Sequence, residues 1–223
     1  MITYEEVLQE LNENADVDYR AFHKRLLKND KINVIGVRTP VLRALAKRYK
    51  GEREIFSFPE EYYEIGFLKC AVASNLPYNE LITVIDELVD GLDNWATCDC
   101  FAPKCIAKHK EEFLPYIRRY LQSDREFTRR YGLVALLHDY VEREYLSVIF
   151  EAAAIEEDAP YYVMMASAWL IAEVVIKFYD EGFAFLKQTA LPQRLLKKAV
   201  QKARESYRLT SEQKEELKGL TRG

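Results

Sequence analysis

Apolar residues recur at helical spacing in the stretch Leu81-Ile82-Thr83-Val84-Ile85-Asp86-Glu87-Leu88, where Leu81, Ile85 and Leu88 fall on one face of a helix. The same spacing recurs along most of the chain, in the segments Val7-Leu8-Leu11, Val41-Leu42-Leu45, Leu133-Leu136-Leu137 and Leu195-Leu196-Ala199. Only eight glycines and seven prolines interrupt the pattern. The sequence therefore predicts an all-α protein.

Turn and helix-start signals divide the chain into stretches in which we expect helical segments of about 10 to 18 residues, the length of ordinary helices. The signals lie at Asn29-Asp30-Lys31, Gly51-Glu52, Phe58-Pro59, Leu76-Pro77, Gly91-Leu92-Asp93, Ser123-Asp124, Ala159-Pro160 and Leu191-Pro192. Successive pairs of helices this short are typical of a curved α-solenoid of HEAT-like antiparallel helix pairs, although no exact sequence repeat is present. We expect that architecture in a single domain over residues 1–223. The concave face of such a stack suits a rod-like partner such as duplex DNA.

Composition and charge narrow the class of protein. The 223 residues are 49% hydrophobic, but no apolar run approaches the roughly 20 residues that a membrane span needs. The N-terminus lacks the basic and apolar regions of a secretion signal, so we expect a cytoplasmic protein. The net charge is −4, with −6 over residues 1–100, +4 over 104–130 and +6 over 185–208. The two basic stretches are either solvated helix faces or a surface for a phosphate backbone.

Four cysteines in a chain without a secretion signal indicate reduced thiols. Cys70, Cys98, Cys100 and Cys105 lie in patterns of packed helices, which favours small core residues. Cys105 and His109 are four residues apart, but the Cys98-x-Cys100 spacing is too short for a usual zinc site. The histidines have no nucleophile at a recognisable spacing, and no glycine-rich phosphate loop is present. We therefore expect neither a metal nor a cofactor.

Trp95 and Asp99 are the pair that indicates chemistry. Four residues apart on one helix, they place an indole and a carboxylate side by side, and this combination suits a cationic ligand. The plainer alternatives are a core tryptophan and a surface or first-turn acid that the helix dipole stabilises. Pro103 falls within the same helical pattern, so we expect the helix to kink or restart near it.

Three further segments offer groups for an anionic partner. Arg129 and Arg130 follow a charged turn and are expected to be exposed, where a guanidinium can hold a phosphate. Trp169 lies in a later apolar helix. In the segment Gly36-Val37-Arg38-Thr39-Pro40-Val41-Leu42-Arg43, Thr39 is predicted to cap a helix whose first residue is Pro40.

Taken together, Gly36-Val37-Arg38-Thr39-Pro40-x-x-Arg43, Trp95-x-x-x-Asp99, Arg130 and Trp169 resemble the AlkD-like DNA alkylation repair family, in the same order and over about residues 20 to 205. Members of that family are curved stacks of HEAT-like helix pairs that remove cationic alkylated bases, chiefly 3-methyladenine and 7-methylguanine, from duplex DNA. Asn94 stands where the best-known members have a second tryptophan. The resemblance implies a monofunctional alkylpurine DNA glycosylase that acts in base excision repair without a metal.

The resemblance also implies a role for each matching residue. Asp99 would be the catalytic carboxylate, Trp95 and Trp169 would contact the lesion nucleotide, and Arg130 would hold a phosphate beside it. Arg129 and Lys104 are expected to bind further phosphates, while Arg38, Thr39 and Pro40 contact DNA away from the catalytic residues. The partner would be duplex DNA carrying alkylated bases. The protein would act as a monomer in the bacterial cytoplasm, associated with the nucleoid when bound to DNA.

Two other functions stay open from the residues alone. A non-catalytic HEAT-repeat protein would bind distorted or branched DNA through the stretches 104–130 and 185–208, with steep salt dependence and no base release. A HEAT-type protein-interaction scaffold is favoured by the net charge of −4 and would have no measurable affinity for DNA at modest salt.

Overall fold

A computed structural model describes residues 2–221 and is built from helices. No strand occurs in this part of the chain, so the all-α prediction is confirmed. The helices are α1 (Tyr4–Glu13), α2 (Val17–Leu27), α3 (Thr39–Arg48), α4 (Tyr63–Ala73), α5 (Tyr78–Leu81), α6 (Ile85–Asp90), α7 (Trp95–Cys100), α8 (Lys110–Leu121), α9 (Glu126–Asp139), α10 (Leu146–Ala153), α11 (Tyr161–Lys177), α12 (Tyr179–Gln188), α13 (Gln193–Arg204) and α14 (Ser211–Gly219). Short 3₁₀ helices cover Arg53–Ser57, Ile106–Lys108 and Arg143–Tyr145.

Many helix ends agree with the turn signals in the sequence, but the prediction that Leu81, Ile85 and Leu88 share one helix is wrong, because turns at residues 82–84 separate α5 from α6. Pro77, Pro160 and Pro192 each occupy the cap position directly before a helix. Proline fits there because its fixed φ suits a helix start, where the first N–H groups have no intrahelical partner. These boundaries are therefore set by local backbone chemistry.

The chain divides into two compact units, one up to His109 and one from Lys110. Such a division is compatible with one domain or two, so a single domain over 1–223 stays a prediction, as does the HEAT-like solenoid. No helix among residues 2–221 is long and apolar enough to cross a membrane.

Helix α4 is the centre of the first unit. Nine of its eleven residues are buried, and it packs against α3, α6 and α7. Apolar residues such as Ile65 and Leu68 are fully buried there. A helix buried on all sides provides a fixed base. Helix α3, with Thr39 and Pro40, and helix α7, with Trp95 and Asp99, are both anchored on it.

Helix α11 has the same position in the second unit. Ten of its seventeen residues are buried, and it contacts α9, α10, α12 and α13. At Gly182 the backbone of α12 comes so close to Val175 that an added Cβ would lie 2.7 Å from its Cα atom. Glycine is therefore required at this contact. The central helix α11 carries Trp169 and packs beside α9, which carries Arg129 and Arg130.

Candidate functional site

Trp95 and Asp99 share the six-residue helix α7, as the sequence predicted. The helix starts at a buried cap, because the Asn94 side-chain oxygen accepts a 2.8 Å hydrogen bond from the Thr97 N–H. The fully buried Cys98 fixes the opposite face in the core. The helix ends at Cys100, so Pro103 follows a finished helix and kinks nothing. Carboxylate and indole therefore lie on neighbouring turns of one rigid element.

These two side chains lie between core and surface, because Trp95 packs against the hydrophobic core of the first unit without being enclosed by it. Trp95 is half-buried, and its indole Nε1–H points to the Leu26 carbonyl oxygen at 3.4 Å. Asp99 is also half-buried and lies outside the first turn of α7, so the helix N-terminus does not account for it. Neither side chain is sealed in the core, and both retain surface that a ligand can reach.

The loop before α3 is held by a buried carboxylate that the sequence analysis missed. Glu64 is completely buried and accepts hydrogen bonds from the N–H groups of Ile35, Gly36 and Val37, at 3.0, 2.8 and 3.2 Å. Gly36 has a φ of +102°, and an added Cβ would lie 2.6 Å from the Asp16 carbonyl oxygen. The glycine in the motif is therefore a steric requirement. A lone acid within the apolar α4 segment was the available signal for Glu64.

The predicted cap of α3 is wrong by one residue. Arg38 is the N-cap, because its carbonyl accepts from the Val41 and Leu42 N–H groups, and Thr39 is already helical. A helical Thr39 cannot cap the helix that contains it. The Arg38 guanidinium instead pairs with Asp16 at 2.7 Å. The segment Arg38-Thr39-Pro40 still forms the start of α3.

Arg130 is not exposed, which contradicts the expectation from its charged neighbourhood. It is only 5% exposed, and its guanidinium donates a 2.5 Å hydrogen bond to the Tyr162 carbonyl. Glu126, one turn earlier on α9, accepts from the Tyr162 N–H at 2.8 Å. These two α9 side chains thus bind both backbone groups, the N–H and the carbonyl, of Tyr162 at the start of α11. Arg130 is buried by the contact between α9 and α11, and the charged residues next to it in the sequence do not predict this contact.

Arg129 is half-buried and forms a two-pronged ion pair with Glu156. The Arg129 guanidinium lowers the pKa of the Glu156 carboxyl to about 2. Trp169 keeps 36% of its surface exposed on α11, and Tyr161 of the same helix is 57% exposed. The second unit therefore exposes the aromatic rings of Trp169 and Tyr161, whereas the Arg129 guanidinium is paired with the Glu156 carboxylate.

Lys104 lies in the first unit, after α7, and is exposed. Its ammonium donates to the Asn75 side-chain oxygen at 3.0 Å. Cys70 and Cys98 are core residues as predicted, but Cys100 is exposed and Cys105 half-buried, so the core prediction fails for those two. The His109 ring stacks on Tyr78, with centroids 4.3 Å apart. No group of three or more potential metal ligands occurs within residues 2–221.

A family model described as "DNA alkylation repair enzyme" matches residues 7–205. The chain belongs to the DNA alkylation repair enzyme family. No curated protein sequence matches the chain at a significant level.

The matched region of this DNA alkylation repair family member contains every residue predicted for the site, from Arg38 to Trp169. The AlkD-like resemblance is thereby confirmed at the level of the family. Membership supports a role in the repair of alkylated DNA and hence the binding of DNA. Among the predicted residues, Trp95 and Asp99 lie together on α7, the segment 38–40 begins α3, and Arg129, Arg130 and Trp169 belong to the second unit.

Proposed function

We propose that this protein is a monofunctional DNA glycosylase that excises cationic N3- and N7-alkylated purines, such as 3-methyladenine and 7-methylguanine, from duplex DNA. The observation that carries the proposal is the Trp95–Asp99 pair on α7, in a chain that belongs to a DNA alkylation repair family. An indole beside a carboxylate, both partly accessible, suits a positively charged group better than a neutral one.

The chemistry follows from the charge of the substrate. An N3- or N7-alkylated purine already carries a positive charge, so it leaves as a neutral base when the N-glycosidic electron pair moves onto it. The deoxyribose becomes an oxocarbenium ion, and a carboxylate beside C1′ stabilises that charge. Water then attacks C1′ and loses its proton. In this scheme Asp99 stabilises the sugar cation and orients the water, while Trp95 offers it an aromatic face. A neutral lesion lacks the activated leaving group and should react poorly.

The remaining residues would hold the DNA. Trp169 keeps an exposed aromatic face, which suits stacking or contact with a cationic nucleotide. Lys104, Arg129 and Arg130 would contact phosphates, and the segment Arg38-Thr39-Pro40 would contact the duplex away from the reaction. To contact a phosphate, the Arg130 guanidinium must either use its other N–H groups or give up its hydrogen bond to the Tyr162 carbonyl.

The decisive experiment measures release of 7-methylguanine and 3-methyladenine from methylated duplex DNA by the wild-type protein and Asp99→Asn. Loss of an electrostatic group that acts in the transition state lowers a rate by about 10²–10³. We expect that loss in Asp99→Asn with affinity for DNA unchanged. Glu87→Gln, which removes the same charge from an exposed position on α6, is the matched control and should behave as wild type. Equal rates for wild type and Asp99→Asn would remove Asp99 from the mechanism.

A second candidate is a non-catalytic protein that binds distorted or branched DNA. The burial of Arg130 favours it, because a guanidinium bonded within the protein is less available to grip a phosphate beside a lesion. The same assay separates the two functions. Salt-dependent DNA binding by the wild-type protein, with no base released from either lesion, would select the second candidate.

A further inference from the structure

The turn between α13 and α14 presents one aromatic ring to solvent. Tyr207 has its entire side chain accessible, whereas Trp169 and Tyr161 on α11 are only partly exposed. An exposed aromatic ring gives up the free energy that its burial would gain, so the fold has no use for a ring at this position. Tyr207 is therefore a residue whose role must lie outside the packing of the chain.

The turn that carries Tyr207 is itself well ordered. The Ser206 N–H donates to the Ala203 carbonyl oxygen at 3.1 Å, and the Arg208 N–H donates to the Ser206 hydroxyl oxygen at 3.2 Å. Leu209 is only 7% exposed and anchors the turn in the core of the second unit. The backbone at Tyr207 is thus held on both sides, and the ring is presented from a fixed position.

The neighbour of Tyr207 attaches this turn to α11. The Arg208 guanidinium donates to both carboxylate oxygens of Glu173, at 2.9 and 2.8 Å. Glu173 lies one turn after Trp169, about 6 Å along the axis of α11. The two exposed aromatic residues, Trp169 and Tyr207, are thus each placed beside one partner of the same ion pair. They lie close together on the second unit although 38 positions separate them in the chain.

Accessible aromatic rings suit the faces of nucleotide bases. Stacking of a base on an aromatic side chain tolerates any sequence, because every base has a π-face. In an intact duplex the neighbouring bases cover these faces, so a ring on the protein surface reaches only a base that has left the stack. Unstacking is least costly for a base that is damaged or unpaired. Such rings therefore favour DNA with broken stacking over intact duplex.

The charges around Tyr207 distinguish this surface from a phosphate site. Arg208 is paired with Glu173, and the exposed carboxylate of Glu205 accepts from the Gln201 amide at 3.1 Å. The turn and its ion-pair partner thus contribute one cation and two carboxylates, an arrangement that does not attract a phosphate. A contact made through the ring should accordingly depend little on the concentration of salt, unlike a contact with the DNA backbone.

We infer that Tyr207 is a specificity-determining residue whose ring stacks on an unpaired base of damaged DNA, so that the protein binds disrupted duplex in preference to intact duplex. The choice of DNA as the source of the base rests on the proposed function; the preference for a flat ring rests on the exposure of Tyr207 and its attachment to α11. Tyr207 lies beyond residues 7–205, so the match to the family model does not include it. The tyrosine hydroxyl has no part in this role.

The test compares the affinity of the full chain for two fluorescent duplexes. One is intact, and the other carries a single tetrahydrofuran, a stable analogue of an abasic site that leaves the opposite base unpaired. Tyr207→Ala should bind the abasic duplex about 5- to 150-fold more weakly, the range for one lost base–aromatic stack. Its affinity for the intact duplex and its salt dependence should not change. Because Tyr207 is fully exposed, the variant should fold like wild type.

Two variants control this comparison. Tyr207→Phe keeps the ring and should bind both duplexes like wild type. Tyr161→Ala removes another exposed ring, about two turns before Trp169 on α11, and should keep the wild-type preference. The inference would be overturned by a wild-type protein that binds both duplexes equally, by an equal loss on both duplexes in Tyr207→Ala, or by a loss of preference in Tyr207→Phe.

Base release separates this inference from the proposed function, because the abasic duplex contains no base to excise. Release of 7-methylguanine from methylated duplex is measured for the wild-type protein in parallel. Base release together with an unchanged preference in Tyr207→Ala would overturn only the stacking role of Tyr207. A preference that is lost in Tyr207→Ala, without base release by wild type, would support the stacking role and refute the glycosylase.

2-Aminopurine placed opposite the tetrahydrofuran gives a local readout of stacking. Its fluorescence is high when the base is unstacked and falls when the base stacks on an aromatic ring. The wild-type protein and Tyr207→Phe should therefore quench it, and Tyr207→Ala should quench it much less. Trp169→Ala reports on the other ring. Quenching that survives in Tyr207→Ala but disappears in Trp169→Ala would assign the stack to Trp169 and overturn the inference.

Discussion

At the scale of single residues, Arg130 has two possible roles, one in binding a phosphate and one in stabilising the fold. Its position in the family pattern implies a phosphate contact, but its guanidinium is 5% exposed and bonded to the Tyr162 carbonyl. A buried charge is retained only when it is well hydrogen-bonded, and removing its partner leaves groups unsatisfied. Arg130 therefore stabilises the contact between α9 and α11 whether or not it also reaches DNA.

We expect Arg130→Ala to lower the free energy of unfolding by about 1.5–3 kcal/mol, the range for a hydrogen bond that involves a charged group. Denaturant titration followed by circular dichroism measures the change. Arg118→Ala, an exposed arginine on α8, is the control and should unfold like wild type. If Arg130→Ala lost activity but kept wild-type stability, Arg130 would act in DNA binding and would not stabilise the fold.

At the scale of elements, α7 depends on its cap. Helices of this length are unstable in isolation, so the six residues Trp95–Cys100 are ordered by the Asn94 cap and by packing on α4. Asn94 is 3% exposed, and its side chain also donates to the Asp93 carboxylate at 2.8 Å. Asn94 thus has a clear structural role here. It fixes where Trp95 and Asp99 stand.

We expect Asn94→Ala to destabilise the protein by about 1 kcal/mol through the lost cap, and to reduce base release further because α7 loosens. Asn94→Ser, which keeps a capping oxygen, should recover part of both. Thr210→Ala removes a cap of the same kind from α14, where no site residue lies, and should cost stability without affecting base release. Base release that fell equally in Asn94→Ala and Thr210→Ala would mean that the cap acts only through global stability.

At the scale of the whole molecule, buried and paired groups set the pH range of stability. Burial lowers the pKa of His23, so the unfolded chain binds this proton more readily and stability falls as pH decreases through about 6.5. The lowered pKa of Glu156 extends this loss of stability below pH 4.5, because protonation of the Glu156 carboxylate breaks its ion pair with Arg129. Burial raises the pKa of Tyr63, and that of Tyr4 to about 12. Stability that depends on neutral tyrosines is complete below pH 10 and lost above it.

We therefore expect the midpoint of thermal unfolding to be highest between about pH 7 and 10 and to fall on both sides, because protonation linkage acts in both directions. Tyr63→Phe should weaken the alkaline fall, and Glu156→Gln the acidic one. Circular dichroism at matched ionic strength measures each profile. An alkaline fall in Tyr63→Phe as steep as in wild type would exclude Tyr63 as its source.

The sequence by itself determined the helical class, the helix starts that follow Pro77, Pro160 and Pro192, and the shared helix of Trp95 and Asp99. These features depend on spacing of three to four residues and on the local chemistry of proline and cap residues, which a linear pattern contains. The family pattern added the expected role of each residue, and the match over residues 7–205 supports the family.

Only the tertiary structure decided the burial of Arg130, the Glu64 carboxylate beneath the loop 35–37, and the surface groove between α3, the end of α4 and the segment after α7, which brings Lys104 to Arg43, Lys47 and Lys50. Each of these joins residues that are at least 27 positions apart in the chain. Local charge predicts exposure for an arginine and repulsion for a cluster of cations. Packing between helices overrides both tendencies, because the apolar area buried around a central helix such as α4 or α11 outweighs the preference of single side chains for water.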